Sequence, residues 1–164
     1  MKLLTKLPLL ALFAVLTFSC STDSIDDKAD VIKENLIVPA AKTIEIEILE
    51  LINNHRLSEG LNSLNDMPIV KSVAYGHTDY MVDNNTISHD NFYNRSTYLK
   101  ENAGAKKVSE NVAYGYSNAE SVVAAWLKSD GHKANIEGDF TNFDISAEKN
   151  IDGKYYYTNI FVKK

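Results

Sequence analysis

From Thr43 onward, Ile44, Ile48, Leu51, Ile52 and His55 fall at helical spacing, and Ile46 and Leu49 widen the stripe. The pattern predicts a helix ending near Gly60. A second helix is expected with Asp66 as N-cap and Pro68 in its first turn, where a missing N–H costs nothing. Its stripe is Val70, Val73, Ala74, His77 and Met81, and Asn84 and Asn85 supply turn chemistry at its end. Tyr98 and Leu99 indicate a short third helix closing at Gly104, and Ser117 with Glu120 forms a capping-box pair before Val122, Val123 and Trp126. That fourth helix should run to about Ser129. The period then drops to two: Phe143, Ile145 and Ala147 alternate, as do Tyr156, Thr158, Ile160 and Val162 against Tyr155, Tyr157, Asn159 and Phe161. Two strands joined across Asp152 and Gly153 are expected. Large side chains on both strand faces imply a sheet covered on two sides, and helices first with a hairpin last imply a layered α+β domain.

The first forty residues follow no such pattern. Lys2 and Lys6 precede a mostly apolar run from Leu7 to Phe18, about the length of a signal-peptide core and short for a bilayer span. Residues 1–19 therefore read as a lipoprotein signal peptide. Leu16, Thr17, Phe18, Ser19 and Cys20 resemble a bacterial lipobox, with Thr17 departing from the usual aliphatic residue, and the single Cys is assigned to lipidation. The acidic stretch Ser21–Asp27 resembles the export signal of surface-displayed lipoproteins, and it serves equally well as a solvated spacer. Residues 20–41 read as a lipidated Cys with a flexible tether, and 42–164 as the folded domain. The expected location is the cell envelope, lipid-anchored, at the outer membrane, with the leaflet left open.

Charge narrows the partners. The 164 residues carry a formal charge of −5, with a pI near 5.3, and loss of Lys2 and Lys6 makes it −7. Nucleic acid is not an expected partner, and anionic surfaces are repelled. Membrane attachment must then come from acyl chains on Cys20, more than one being needed for lasting anchorage. One Cys forms no internal disulfide, so a packed core must hold the fold.

Some polar residues are not explained by this pattern. His89 follows Ser88 in a polar loop, Glu110 stands in Ser109-Glu110-Asn111-Val112-Ala113-Tyr114-Gly115, and His132 follows Ser129-Asp130-Gly131. Spacing alone brings none of them together. His77, on its stripe, reads as a hydrogen-bonded core histidine, and His55 as interfacial.

The order Ala74-x-x-His77-x-x-x-Met81, Ser88-His89, Ser109 to Gly115, Trp126-x-x-Ser129-x-x-His132-x-x-Asn135-Ile136 and a Tyr-rich strand ending in Phe161 resembles the bacterial branch of the CAP superfamily. That superfamily comprises cysteine-rich secretory, antigen 5 and pathogenesis-related proteins, and its domain is also called SCP. The resemblance covers about residues 43–164 and implies an α-β-α sandwich with a large cleft. Carried over residue by residue, His89 and His132 match the two cleft histidines and Glu110 the cleft glutamate. Ser129 stands where many members have a second glutamate, and Asp130 is a possible substitute carboxylate.

Two imidazoles and one carboxylate suit Zn²⁺ or another divalent cation, His89 and His132 being the expected metal ligands. Without metal, the same residues would form a hydrogen-bonded network in which Glu110 favours the protonated form of either His. The leading expectation is a non-enzymatic binding or interaction module whose cleft, lined by His89, Glu110, Ser129 and His132, takes a metal or an unidentified small polar, lipid or protein ligand. The alternative is a metal-dependent hydrolase acting on peptide or envelope material, with Glu110 and His132 catalytic. There is no HExxH helix and no strained serine elbow to support one.

Overall fold

The computed structural model describes residues 37–164, all belonging to the unit Asn35–Lys164. The signal segment, Cys20 and the tether up to residue 36 lie outside the described residues. Helix α1 spans Thr43–Ser58 and begins with the Lys42 N–H donating to the Glu45 carboxylate at 2.7 Å. After it come strand β1 (Asn65–Asp66), helices α2 (Pro68–Asp83) and α3 (Phe92–Ala103), and strand β2 (Lys107–Tyr114). Helices α4 (Ala119–Leu127) and α5 (Asp130–Ile136) precede the closing hairpin, β3 (Asn142–Lys149) and β4 (Tyr155–Lys163). The described residues are thus α+β, and no helix among them is long and apolar enough to cross a membrane.

The sheet order is β1-β3-β4-β2, with β1 parallel to β3 and the other neighbours antiparallel. Strand alternation sends Phe143, Ile145, Ala147, Tyr157 and Phe161 to one face, where they pack with Ile48 and Ile52 of α1, Val122 and Trp126 of α4, and Ile136 of α5. Ile160 and Val162 face the other way, onto Val70, Val73 and Ala74 of α2 and Leu99 and Ala103 of α3. The expected sandwich, a sheet between two helical layers, is therefore present. Each buried aliphatic or aromatic side chain contributes about 1.5–3 kcal/mol through lost apolar surface.

Several boundaries differ from the sequence reading. Asp66 does not cap α2. It pairs with Phe143 in the parallel ladder, and Met67 takes the cap position with no side-chain bond, so Pro68 does fall at the helix start. The α4 cap is Asn118, not Ser117: the Asn118 Oδ1 accepts from Ser121 N at 2.8 Å. The fourth helix stops at Leu127, and Ser129 instead becomes the N-cap residue of α5, a helix that the sequence pattern did not separate. Helix α3 closes at Gly104, whose φ of +68° is cheap only for glycine. The hairpin turn runs over 150–154, and Asn150 Oδ1 accepts from the N–H groups of Asp152 and Lys154.

A buried ion pair ties both helical layers to β3. Lys71 of α2 lies 2.6 Å from the Glu45 carboxylate, and Glu45 also accepts from Ala147 N at 2.8 Å. Lys71 Nζ donates further to Ile145 O at 2.6 Å. Two buried charges are tolerable here because each is paired and hydrogen-bonded. Residues 37–41 also lie against the domain, with Ser72 Oγ donating to Ile37 O.

Candidate functional site

Strand β2 makes the site possible, and its sequence hides it. Glu110 pairs across the ladder with Ile160 and faces α2 and α3, while Asn111 pairs with Asn159 and faces α4 and α5. Both side chains are buried, Asn111 completely. Polar residues at two adjacent buried positions break the apolar alternation that would mark a strand.

Glu110 is held from three sides. Arg95, on the buried face of α3, donates to it bidentately, Nε to Oε2 at 2.9 Å and Nη2 to Oε1 at 2.8 Å. His89 Nδ1–H donates to Oε1 at 2.8 Å. His77 of α2 is fully packed with Nε2 4.0 Å from the same oxygen, but it donates to Ser88 O at 2.8 Å. Burial first, then the charge of Arg95, holds the His77 pKa below the usual histidine value despite the neighbouring glutamate. His77 is thus the satisfied core histidine expected from its stripe, and it also fixes the loop that carries His89.

That loop is anchored at both ends. Arg95 Nη1 donates to Asp90 O at 2.6 Å, Tyr80 OH donates to Asp90 Oδ2 at 3.1 Å, and Phe92 N donates to His89 O at 3.1 Å. Asn91 adopts a left-handed φ of 59° to turn the chain into α3, a conformation asparagine tolerates. His89 is left with its Nδ1 committed to Glu110 and half of its side chain, 53%, in contact with solvent.

On the far side of β2, Asn135 and Asn111 place the second histidine. Asn135 Nδ2 donates to Asn111 Oδ1 at 2.8 Å and to Glu110 O at 3.3 Å, while Asn111 Nδ2 donates to His132 O at 3.1 Å. Trp126 Nε1 donates to Val112 O at 3.1 Å. These bonds occupy carbonyls of an edge strand that would otherwise offer itself to another chain. His132 sits in the first turn of α5, half-buried, and its pKa is lowered by burial and then by the charge of His89. Burial is the largest cause of the downward shift at both His132 and His77.

Glu110 and His89 are joined directly, and His132 lies near enough to feel the charge of His89. The nearest ligand atoms of His89, Glu110 and His132 do not, however, gather as a threesome within 4.8 Å. Ser129 is half-buried at the start of α5 and makes no side-chain cap bond, and Asp130 is exposed. Asn111 and Asn135 stand in the motifs without an assigned role, and Arg95 was not singled out from the sequence. The only available signal was a polar residue at a position that the helix or strand period assigns to the interior.

An α-β-α sandwich with a buried glutamate on its edge strand and a histidine on either side defines a class of fold and site. The cysteine-rich secretory protein family, CAP, matches residues 49–162, and the chain belongs to it. The uncharacterized membrane protein YlbC of Bacillus subtilis is 35% identical over 127 residues, 74% of this chain and 35% of that protein. YkwD of the same organism is 30% identical over 124 residues, covering 73% of this chain and 47% of its own. The chain thus spans between a third and a half of these curated relatives. An extracellular protein of Bacillus anthracis containing an SCP domain superposes with a TM-score of 0.63 at 29% identity, over 73% of this chain and 40% of that one. An outer surface protein of Borrelia burgdorferi, at 24% identity and a TM-score of 0.65 over 71% of this chain and 90% of that one, shares the fold.

Proposed function

We propose that this protein is a cell-envelope lipoprotein whose CAP domain is a non-enzymatic binding module, taking a divalent cation or a small polar ligand between His89 and His132. The observation that carries this reading is the His89–Glu110–Arg95 arrangement. With Nδ1–H given to a carboxylate, His89 presents Nε2 as a lone-pair donor toward solvent, which is how a carboxylate commonly orients a metal-ligating histidine. The donor set of two imidazoles fits Zn²⁺ or a similar ion with water completing the shell. Glu110 orients His89 in this reading and is not itself a ligand, because both of its oxygens are already taken. A bound ion would supply positive charge at the cleft for an anionic or carbonyl-bearing partner, or a lipid head group.

The same occupancy weighs against hydrolysis. Glu110 paired bidentately with Arg95 is a poor general base, and Ser129 makes no hydrogen bond that would activate it as a nucleophile. The envelope location is supported by the character of the N-terminal residues and by relatives described as a membrane, an extracellular and an outer surface protein.

Zn²⁺ added to the full chain should raise the melting temperature by mass action on the native state, and His89→Ala should remove most of that part of the shift that His132→Ala also removes. Equal shifts in wild type and both variants reject the cleft as the site. For the anchor, Cys20→Ala should release the protein from membranes to the soluble fraction, and retention refutes lipidation.

A further inference from the structure

We propose a second divalent-cation site, of the zinc type, formed by His55, Glu59 and Glu137 where the C-terminal ends of α1 and α5 meet. One ligand atom from each of these residues lies within 4.8 Å of the other two, the only such threesome of histidine, cysteine, aspartate or glutamate side chains among the described residues. An ion held at about 2.0–2.2 Å from each ligand in a tetrahedral shell sets the ligand atoms roughly 3.3–3.6 Å apart, a spacing that side-chain rotation reaches from here. His55 Nε2 and Glu137 Oε1 are already 2.8 Å apart.

Two features make this a built site and not a chance meeting of surface groups. His55 and Glu59 are four residues apart at the end of one helix, so they share a face, with Glu59 at the C-cap of α1. Glu137, the C-cap of α5, comes from a different part of the chain and is fixed relative to them by Arg56. Arg56 is 3% exposed, and its Nη1 donates to Ile136 O at 2.6 Å and Gly138 O at 3.0 Å, the carbonyls on either side of Glu137. Its Nε donates to Asn62 O at 2.8 Å, closing the chain just beyond Glu59. The residue next to the histidine thus locks the backbone that carries the opposing carboxylate, so little ordering remains to be done on binding.

The His55 and Glu137 side chains are 18% and 29% exposed, sheltered yet open to an entering ion. One histidine nitrogen and two carboxylates, with water as the fourth ligand, match the donors zinc accepts. The ion would take the place of the proton now on His55 Nε2, which leaves to solvent. Lys133 Nζ, 3.5 Å from Glu137 Oε1, already holds positive charge there and competes with it.

This site is separate from the cleft and shares no residue with it. The test is calorimetric titration of the full chain with Zn²⁺, run on wild type, His55→Ala, His55→Gln, Glu137→Gln, Lys133→Ala and His89→Ala, each checked by circular dichroism for its fold. One binding event should weaken at least about tenfold in the His55 and Glu137 variants, tighten severalfold in Lys133→Ala, and persist in His89→Ala. Absence of any event that survives His89→Ala overturns the proposal, as does wild-type binding in folded His55→Gln and Glu137→Gln.

Discussion

Arg95 and Glu110 meet side-on in the interior, two parallel N–H···O bonds of 2.9 and 2.8 Å joining a helix of one layer to the edge strand of the sheet. The glutamate side chain is 1% exposed and the arginine 9%. The geometry is the strong, planar form of the pairing, and it sets the orientation of everything that touches Glu110.

Arg95→Met should therefore destabilise the fold by about 3–5 kcal/mol, because a buried carboxylate is left without its counter-charge. The double variant Arg95→Met with Glu110→Gln should recover a large part of that loss. Urea unfolding of the wild type, both single variants and the double variant measures the coupling, and strictly additive losses would contradict it.

Asn135→Ala removes the donor shared by Asn111 Oδ1 and Glu110 O. A cost of about 1–3 kcal/mol is expected from leaving buried acceptors unpaired. Because Asn111 positions the His132 backbone, the variant should also weaken ligand binding at the cleft more than an equally destabilising core variant such as Ile52→Val. Matched thermal shifts in the two variants would show that Asn135 does not position the site.

Asp144 gives a pH signature with a defined sign. Burial raises its pKa from the ordinary value near 4 to about 6, against the pull of hydrogen bonds from Ile145 N and Met67 N. A folded-state pKa above the unfolded one means the native state holds the extra proton between those values, so the stability from this group is full below pH 4 and lost as pH rises through 6. The unfolding free energy of wild type minus that of Asp144→Asn should fall by about 2–3 kcal/mol between pH 4 and 7 and then level off. A flat difference would place the carboxyl in a more solvated setting.

The sandwich was readable because its core obeys period. Ile48 and Ile52, Val70 and Ala74, and Ile160 and Val162 are buried on the faces their spacing assigns. Strand β2 was not read as a strand, since Glu110 and Asn111 occupy interior positions that hydrophobicity gives to apolar residues and that here depend on partners far along the chain. Helix α5 was missed because Asp130 and Gly131 look like a turn, yet Ser129 starts a helix there and its carbonyl accepts from Lys133 N. The two histidines and the glutamate were singled out through the order of motifs, whereas Arg95, which holds the glutamate, carried no motif. His55, read as interfacial, is partly buried and pairs with Glu137, 82 positions away, a partner that no spacing announces.

The most direct test of the cleft is nitrogen-15 NMR of the histidine rings during Zn²⁺ titration of the full chain. Occupancy of the proposed cleft predicts that the Nε2 resonance of His89 and one ring nitrogen of His132 move together along one binding curve, while Nδ1 of His89 keeps its proton and His77 does not respond. Rings of His89 and His132 that stay unmoved, or that move at different Zn²⁺ concentrations, would contradict a single site between them.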